Sequence, residues 1–196
     1  MLLYAIHNIP VLRKWFFNSA GIPFTEKKIR FFLPYLQSGS TVLDIGSGSG
    51  LITSLLRKKN FDVTPLDIIK GNFHQDTEPI LYDGIHMPFS EKKFDYGLLL
   101  TVLHHVKDNE ALLVESARVC RRIIIIEDVY DNRLQKSATL FADTVVNLLY
   151  APCPHTNHSH KEWQNIFQRH NLTMEHTEFR KILGIFKQVM YVLKCQ

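Results

Sequence analysis

A short apolar run that ends in alternating glycines constrains the fold of this 196-residue chain more than any other feature. Thr41–Ile45 has the pattern of a buried strand, and Gly46, Gly48 and Gly50 follow it. Glycines at this spacing let the backbone turn sharply and let a ligand approach without a Cβ atom in the way. Residues 51–59 have helical periodicity, so the loop leads into a helix N-terminus with free N–H groups.

Strand and helix patterns alternate along the rest of the chain. Further strands are predicted at residues 61–66, 80–82, 94–100 and 122–127, and further helices at residues 109–119, 133–150 and 159–170. Residues 172–195 form two alternating segments around Gly184, which predicts an antiparallel pair. Strands that are unbroken apolar runs between helices predict an α/β fold with a mostly parallel sheet, helices on both faces and a C-terminal antiparallel hairpin.

Polar side chains follow each of these predicted strands. Ligands in such sheets bind outside the carboxyl ends of the strands, so chemistry is expected there. The positions concerned are residues 44–50, Asp67, Asp83, residues 101–105, and Glu127 with Asp128.

The glycine loop differs from two common nucleotide-binding loops. The dinucleotide pattern G-x-G-x-x-G would need a glycine at position 51, where this chain has Leu51, and the lysine of a P-loop is absent. Asp44, two residues before the first glycine, would also repel a pyrophosphate. A carboxylate at the mouth of the loop suits a ligand with a positive group instead.

The segment from Val42 to Gly50 resembles motif I of the class I S-adenosylmethionine-dependent methyltransferases, the loop Asp-x-Gly-x-Gly-x-Gly. Asp67 stands where that family places an acid on the ribose hydroxyls, and Asp83-Gly84 resembles the adenine-side segment. Residues 103–106 and 115–119 resemble the small-molecule ("type 11") branch. The resemblance implies the Rossmann-like seven-stranded methyltransferase sheet and S-adenosyl-L-methionine as the cofactor.

The resemblance also implies which residues form the site. The implied cofactor contacts are Asp44, Gly46, Ser47, Gly48, Gly50, Asp67, Ile68, Asp83, Gly84 and Thr101. The candidate catalytic bases are His104, His105 and Asp128, because they follow the fourth and fifth strands. Helix capping or packing is an open alternative for either histidine, and a salt bridge or an N-cap is one for Asp128.

Elimination favours a small-molecule methyl acceptor, methylated at O, N or C. The Asn/Asp-Pro-Pro-Tyr motif of adenine amino-methylases is absent after the fourth strand, and Thr101 stands where catechol-type enzymes need a metal-binding Asp. No basic face with interleaved aromatic residues stands out, so nucleic acid is not expected as a substrate. A cofactor-binding partner or regulatory module without catalysis remains the alternative, and an NAD-dependent enzyme conflicts with Asp44 and Leu51.

Length and composition predict a single domain over residues 1–196. Residues 1–38 are expected to form an N-terminal helical lid and residues 129–160 a helical insertion over the active site. Three scattered cysteines, no membrane-spanning run and a poor match to a signal peptide predict a cytoplasmic protein without stable membrane insertion. The expected oligomeric state is monomer or homodimer.

Histidines at positions 155, 158 and 160 are potential metal ligands. Zinc sites usually pair ligands from separate elements, and no second pair is visible, so no metal is predicted. We instead expect Ser159 to cap the following helix, with Glu162 as its capping-box partner.

Overall fold

The computed structural model describes residues 21–71, 75–130, 156–182 and 186–196. The helices are α1 (Ile22–Phe32), α2 (Leu51–Arg57), α3 (Asn109–Val119) and α4 (His160–Arg169). The strands are β1 (Thr41–Ile45), β2 (Asp62–Asp67), β3 (Ile80–Leu81), β4 (Phe94–Leu100), β5 (Cys120–Val129), β6 (Leu172–Ile182) and β7 (Phe186–Cys195). Single 3₁₀ turns cover Leu33–Tyr35, Gln75–Thr77 and Leu103–His105.

All seven strands form one sheet in the order β3-β2-β1-β4-β5-β7-β6. The first five strands pair in parallel, while β7 pairs antiparallel with both β5 and β6. This arrangement confirms the predicted fold class, including the C-terminal antiparallel hairpin. The order reverses at β1, because β2 and β4 lie on its two sides, and ligand sites of open α/β sheets form at such a point.

Strand β5 has four consecutive isoleucines because the sheet is buried on both faces at this strand. Ile123 and Ile125 pack on the face that also holds α3 and α4. Ile124 and Ile126 pack on the opposite face, which is covered by α1 and α2. A strand buried on both faces needs an apolar side chain at every position, because successive side chains point to opposite sides.

Several predicted boundaries shift in the structure. Strand β5 extends beyond the predicted residues 122–127 at both ends, and β3 is only two residues long. Pro65 lies inside β2 opposite Asp44, and it is tolerated there because pairing with β3 begins only at Leu66. The predicted helix at residues 133–150, residues 1–20 of the predicted lid, and Gly184 lie outside the described residues.

The predicted capping box at α4 is confirmed. Ser159 Oγ accepts from the backbone N–H of Glu162, and the Glu162 carboxylate accepts from the backbone N–H of Ser159 at 2.6 Å. None of the helices within the described ranges is both long and apolar enough to cross a membrane.

Candidate active site at the carboxyl edge of the sheet

The glycine loop after β1 adopts a backbone path that only glycine follows easily. Gly46, Gly48 and Gly50 have φ angles of 71°, 51° and 75°. A Cβ atom at position 46 would lie 2.9 Å from Val102 Cγ2, and one at position 50 would lie 2.3 Å from Thr77 Oγ1. A Cβ atom at position 48 would meet only the Gly46 carbonyl oxygen, at 3.9 Å. The loop is therefore crowded at Gly46 and Gly50, whereas among the described residues the side of Gly48 where a Cβ atom would stand is open. On its carbonyl side Gly48 is approached by Gly71, where a Cβ atom would lie 3.2 Å from the Gly48 oxygen.

Asp67 closes the loop from the neighbouring strand. Its Oδ2 accepts from the backbone N–H of Gly48 at 2.7 Å, and its Oδ1 accepts from the N–H groups of Ile68 and Ile69 at 2.7 and 3.3 Å. The loop itself is tied to β2, because the Leu66 carbonyl accepts from the N–H groups of Gly46 and Ser47. Each carboxylate oxygen can accept about two hydrogen bonds, so Asp67 Oδ2 keeps capacity for another donor.

Asp44 lies at the same edge and is 3% exposed. Burial raises the pKa of its carboxyl group to about 6, and the nearby charge of Asp67 adds to this rise. The Thr53 hydroxyl donates to Asp44 Oδ2 at 2.7 Å and opposes the rise. The two acids therefore lie close enough to interact, on either side of the glycine loop.

The segment around Asp83 packs against the end of β2. A Cβ atom at Gly84 would lie 3.4 Å from Ile68 Cγ2, so this turn contacts the residue that follows Asp67. Asp83 Oδ1 accepts from the N–H groups of Ile85 and His86, and these bonds hold the pKa of its carboxyl group below the usual value. Sequence reasoning placed Asp83 on an adenine amino group, and in the structure it also caps its own turn.

The residues around the loop offer groups that fit an adenosyl cofactor. Ser47 Oγ is buried and has no hydrogen-bond partner among the described residues. Ile68, Ile69 and Ile85 are 58%, 64% and 60% exposed, although all three are large and apolar. Exposed apolar side chains grouped beside buried acids suit a ligand with a flat apolar ring and polar hydroxyls.

Thr101 marks the end of β4. It has a φ angle of 62°, unusual for a β-branched residue, and its N–H donates to the Ile126 carbonyl at 2.7 Å. The Lys28 ammonium on α1 donates to Thr101 Oγ1 at 3.1 Å. Burial lowers the pKa of Lys28, partly offset by the charge of Asp128. Sequence reasoning missed Lys28, because nothing in the spacing of α1 shows that this side chain reaches the sheet edge.

His104 and Glu127 form a buried pair between the ends of β4 and β5. His104 is 3% exposed, Glu127 is 1% exposed, and His104 Nδ1 lies 2.5 Å from Glu127 Oε2. Glu127 Oε1 also accepts from the N–H groups of Val102 and Leu103 at 2.9 and 2.8 Å. Because Glu127 Oε1 already accepts from two backbone N–H groups, we assign an ionised carboxylate and place the His104 proton on Nδ1.

The two other candidate bases lie in different surroundings. His105 is exposed, and its ring stacks at an angle on His104 with 4.0 Å between centroids. Asp128 is half-buried and accepts from Gln188 Nε2 at 2.9 Å. The sequence placed Glu127 among the strand-end positions where chemistry is expected, but it did not assign Glu127 a catalytic or cofactor-binding role.

The segment before α4 covers the turn after β4. Thr156 Oγ1 lies 3.1 to 3.2 Å from the carbonyl oxygens of Leu103, His104 and Val106. The next residue, Asn157, is 7% exposed, and neither polar atom of its side chain has a hydrogen-bond partner within the described ranges. Tyr130 OH bonds to the Asn157 carbonyl at 3.4 Å, so this residue lies beside the end of β5.

The histidines of this segment have separate partners. His158 Nε2 lies 3.0 Å from Asn109 Nδ2, and His160 Nδ1 lies 2.8 Å from Tyr191 OH. The part of the chain that the structure describes holds no group of three metal-ligating side chains. His155 lies outside the described residues.

Comparison with known proteins identifies the family to which this fold and site belong. Residues 17–177 match the family model described as a methyltransferase domain. Because this match covers most of the chain, the protein belongs to this methyltransferase domain family. The match confirms the predicted class I methyltransferase.

The named relatives match this chain at low identity and over only part of their own length. The chain is 30% identical over 90 residues to the demethylmenaquinone methyltransferase of Corynebacterium urealyticum, which covers 44% of this chain and 39% of that protein. It is 24% identical over 156 residues to the ubiquinone biosynthesis O-methyltransferase of Rickettsia typhi, covering 74% and 62%. The chain therefore spans less than two thirds of the length of either relative.

Solved structures share the fold at low identity. The geranyl diphosphate C-methyltransferase of Streptomyces coelicolor, solved with S-adenosyl-L-homocysteine, superposes with a TM-score of 0.69 at 14% identity. The match covers 87% of this chain and 79% of that one. The family and the fold together support the prediction that S-adenosyl-L-methionine is the cofactor.

Proposed function

We propose that this protein transfers the methyl group of S-adenosyl-L-methionine to an oxygen, nitrogen or carbon atom of a small molecule. The observation that carries the proposal is the hydrogen bond from the Gly48 N–H to Asp67, which joins two strand ends around an open glycine loop. Asp44 on the adjacent strand supplies a second carboxylate at the same place. The supporting argument is chemical: two acids beside open backbone fit a cationic ligand that also carries hydroxyl groups.

Each predicted contact has a role in this proposal. Asp67 Oδ2 accepts from a ribose hydroxyl, Ser47 Oγ bonds to the amino acid part, and Asp44 balances positive charge. Ile68, Asp83 and Gly84 line the adenine side. Gly46 and Gly50 hold the loop against Val102 and Thr77, so that Gly48 can present its open side to the ligand. Thr101 follows β4 beside the ligand. When bound, S-adenosyl-L-methionine supplies an electrophilic methyl group on a sulfonium.

The protein's part in the reaction is to hold the acceptor in line with that methyl group and to exclude water. An acceptor that carries a proton at pH 7 also needs a base. His104 is the candidate that the geometry favours, because Glu127 orients its ring and stabilises the imidazolium form. His105 and Asp128 remain the second and third candidates.

Several finer points belong to the same proposal. The acceptor is a small molecule, and ring hydroxyls and ring carbons of hydroquinones are candidates because curated relatives act in quinone biosynthesis. Residues 1–38 and 129–160 cover the site within a single domain. A cytoplasmic location is supported by Cys120 and Cys195, which are buried free thiols. The protein is a monomer or a homodimer.

A transfer assay tests the proposal. The protein is incubated with S-adenosyl-L-methionine carrying a trideuterated methyl group and with a panel of phenols, catechols, hydroquinones and amines. Mass spectrometry then searches for products that gain the labelled methyl group. We expect one acceptor class to be labelled, with at least a tenfold loss when Asp67 is replaced by Asn. Tight cofactor binding with no labelled product would favour the non-catalytic partner module instead.

A further inference from the structure

The Lys28 ammonium is a partly buried cation that has no anionic partner among the described residues. An ammonium has three N–H donors, and one of them bonds to Thr101 Oγ1 at 3.1 Å. The Thr101 hydroxyl donates its own proton to the Leu100 carbonyl, so its oxygen can only accept from Lys28. Within the described residues, no carboxylate lies at ion-pair distance from the Lys28 ammonium. Two N–H donors of this partly buried cation therefore have no acceptor among the described residues.

Lys28 contacts the end of β4 and not the ends of β1 and β2. Asp44 and Asp67 lie at the ends of β1 and β2, whereas Thr101 follows β4, on the other side of β1 from β2. Among the acids that act on the Lys28 charge, Asp128 of β5 has the largest effect, followed by Glu127 of β5 and then by Asp44. The ammonium thus faces the half of the sheet edge from which an acceptor would approach the transferred methyl group.

A second cation lies on the same side. Arg180 of β6 donates through Nε to Gln188 Oε1 at 2.9 Å, and Gln188 Nε2 donates to Asp128. The Arg180 guanidinium also lies 4.4 Å from the Phe31 ring centre and 3.4 Å from the Lys27 carbonyl oxygen, which ties β6 to α1. The charges of Lys28 and Arg180 face those of Asp128 and Glu127, because the hydrogen bonds to Glu127 leave its negative charge in place. The attraction for an anionic group therefore comes from the Lys28 donors that have no acceptor among the described residues, and not from an excess of positive charge.

We infer that Lys28 is a specificity-determining residue that binds an oxyanion of the methyl acceptor, a carboxylate or an ionised phenol, at the end of β4. This inference rests on the proposed methyl transfer. The Lys28 ammonium donates two hydrogen bonds to the oxyanion while Thr101 holds it in place. Arg180, which Gln188 links to Asp128, adds a second positive charge on this side of the site. The acceptors expected from this geometry are acidic small molecules, and their neutral amides are discriminated against.

The test uses the full chain saturated with S-adenosylhomocysteine. Ligand-observed NMR measures the affinities of benzoate, 4-hydroxybenzoate and octanoate, each compared with its neutral amide. We expect each acid that binds to exceed its amide at least tenfold in the native protein. Lys28→Met, which keeps the length of the side chain and removes the charge, loses this preference, while Lys28→Arg keeps part of it. Lys27→Met is the matched control, because Lys27 is exposed on the same helix.

Three results would overturn the inference. The first is a native protein that binds the cofactor product but shows no preference for acids over amides. The second is a Lys28→Met variant that keeps the preference. The third is a Lys28→Met variant that binds S-adenosylhomocysteine tenfold more weakly yet binds 5′-methylthioadenosine normally, because this pattern places Lys28 on the carboxylate of the cofactor. A native protein that binds no S-adenosylhomocysteine would instead refute the proposed function. Thermal unfolding checks that each variant is folded.

Discussion

Glu127 Oε2 lies 2.5 Å from His104 Nδ1, and this contact joins the ends of β4 and β5 beneath the proposed acceptor site. The same carboxylate fixes the first turn after β4, because it accepts from the N–H groups of Val102 and Leu103. One buried charge thus holds the candidate base and the backbone beside it.

The Glu127 carboxylate gives a first prediction. Glu127→Gln places an amide NH₂ against groups that donate hydrogen bonds, so we expect the free energy of unfolding to fall by about 2 to 4 kcal/mol. The control is Glu175→Gln, which breaks a partly exposed ion pair with Arg122 and should cost less than about 1 kcal/mol. Urea denaturation measures both. Equal losses in the two variants would show that the buried His104–Glu127 pair contributes no more to the free energy of unfolding than the exposed ion pair.

A second prediction compares two glycines with similar backbone angles. Gly50 and Gly39 have φ angles of 75° and 77°, but only position 50 is crowded by Thr77. Gly39→Ala should cost about 1 to 2 kcal/mol, the penalty of the left-handed conformation alone. Gly50→Ala adds a steric clash, so it should be clearly less stable than Gly39→Ala and should lose cofactor binding. Thermal unfolding with and without S-adenosylhomocysteine measures both effects. If the two variants were equally stable, the crowding of position 50 by Thr77 would be contradicted.

A third prediction concerns the pH dependence of Asp44. Burial raises the pKa of the Asp44 carboxyl from its ordinary value of 3.8 to about 6 in the folded protein. Ionisation of Asp44 therefore disfavours the folded state as the pH rises through this window. Asp44→Asn should therefore stabilise the cofactor-free protein by up to about 3 kcal/mol at pH 7.5 and by much less at pH 4.5. The same variant should bind S-adenosylhomocysteine at least tenfold more weakly. Urea denaturation at the two pH values supplies the test, and a gain that is the same at both would contradict it.

A fourth prediction concerns the side-chain amide of Asn157. Asn157→Leu removes two buried polar atoms that have no hydrogen-bond partner within the described ranges, so it should raise the free energy of unfolding by about 1 to 3 kcal/mol. Asn109→Leu is the control, because the Asn109 amide bonds to His158 and to the Thr156 carbonyl, and its loss should destabilise the protein. If Asn157→Leu destabilised the protein as much as the control, the amide would have a partner in solution.

The sequence predicted the parallel half of the sheet well, because its signals are local. The apolar run at β1, the isoleucines of β5 and the glycines at positions 46, 48 and 50 each determine their own backbone. The same argument located the sheet edge where Asp44 and Asp67 meet. The capping box of Ser159 was also predictable, since it depends on a three-residue spacing.

The rest of the site depends on contacts between distant elements. Lys28 reaches Thr101 across 73 positions of sequence, and His104 meets Glu127 only because β4 and β5 pair in parallel. Asp83 looked like a ligand contact by resemblance alone, whereas its bonds to Ile85 and His86 come from a local turn. Periodicity shows which face of an element is buried, but it does not show which polar side chain reaches the site.

Titration of S-adenosylhomocysteine into the protein tests the central claim most directly. Isothermal calorimetry should show one binding site in the native protein, an affinity at least tenfold weaker in Asp67→Asn, and an unchanged affinity in Asp62→Asn, an exposed acid at the start of β2. A folded native protein that releases no binding heat at several temperatures, or an Asp67→Asn variant that binds as tightly as the native protein, would contradict the account.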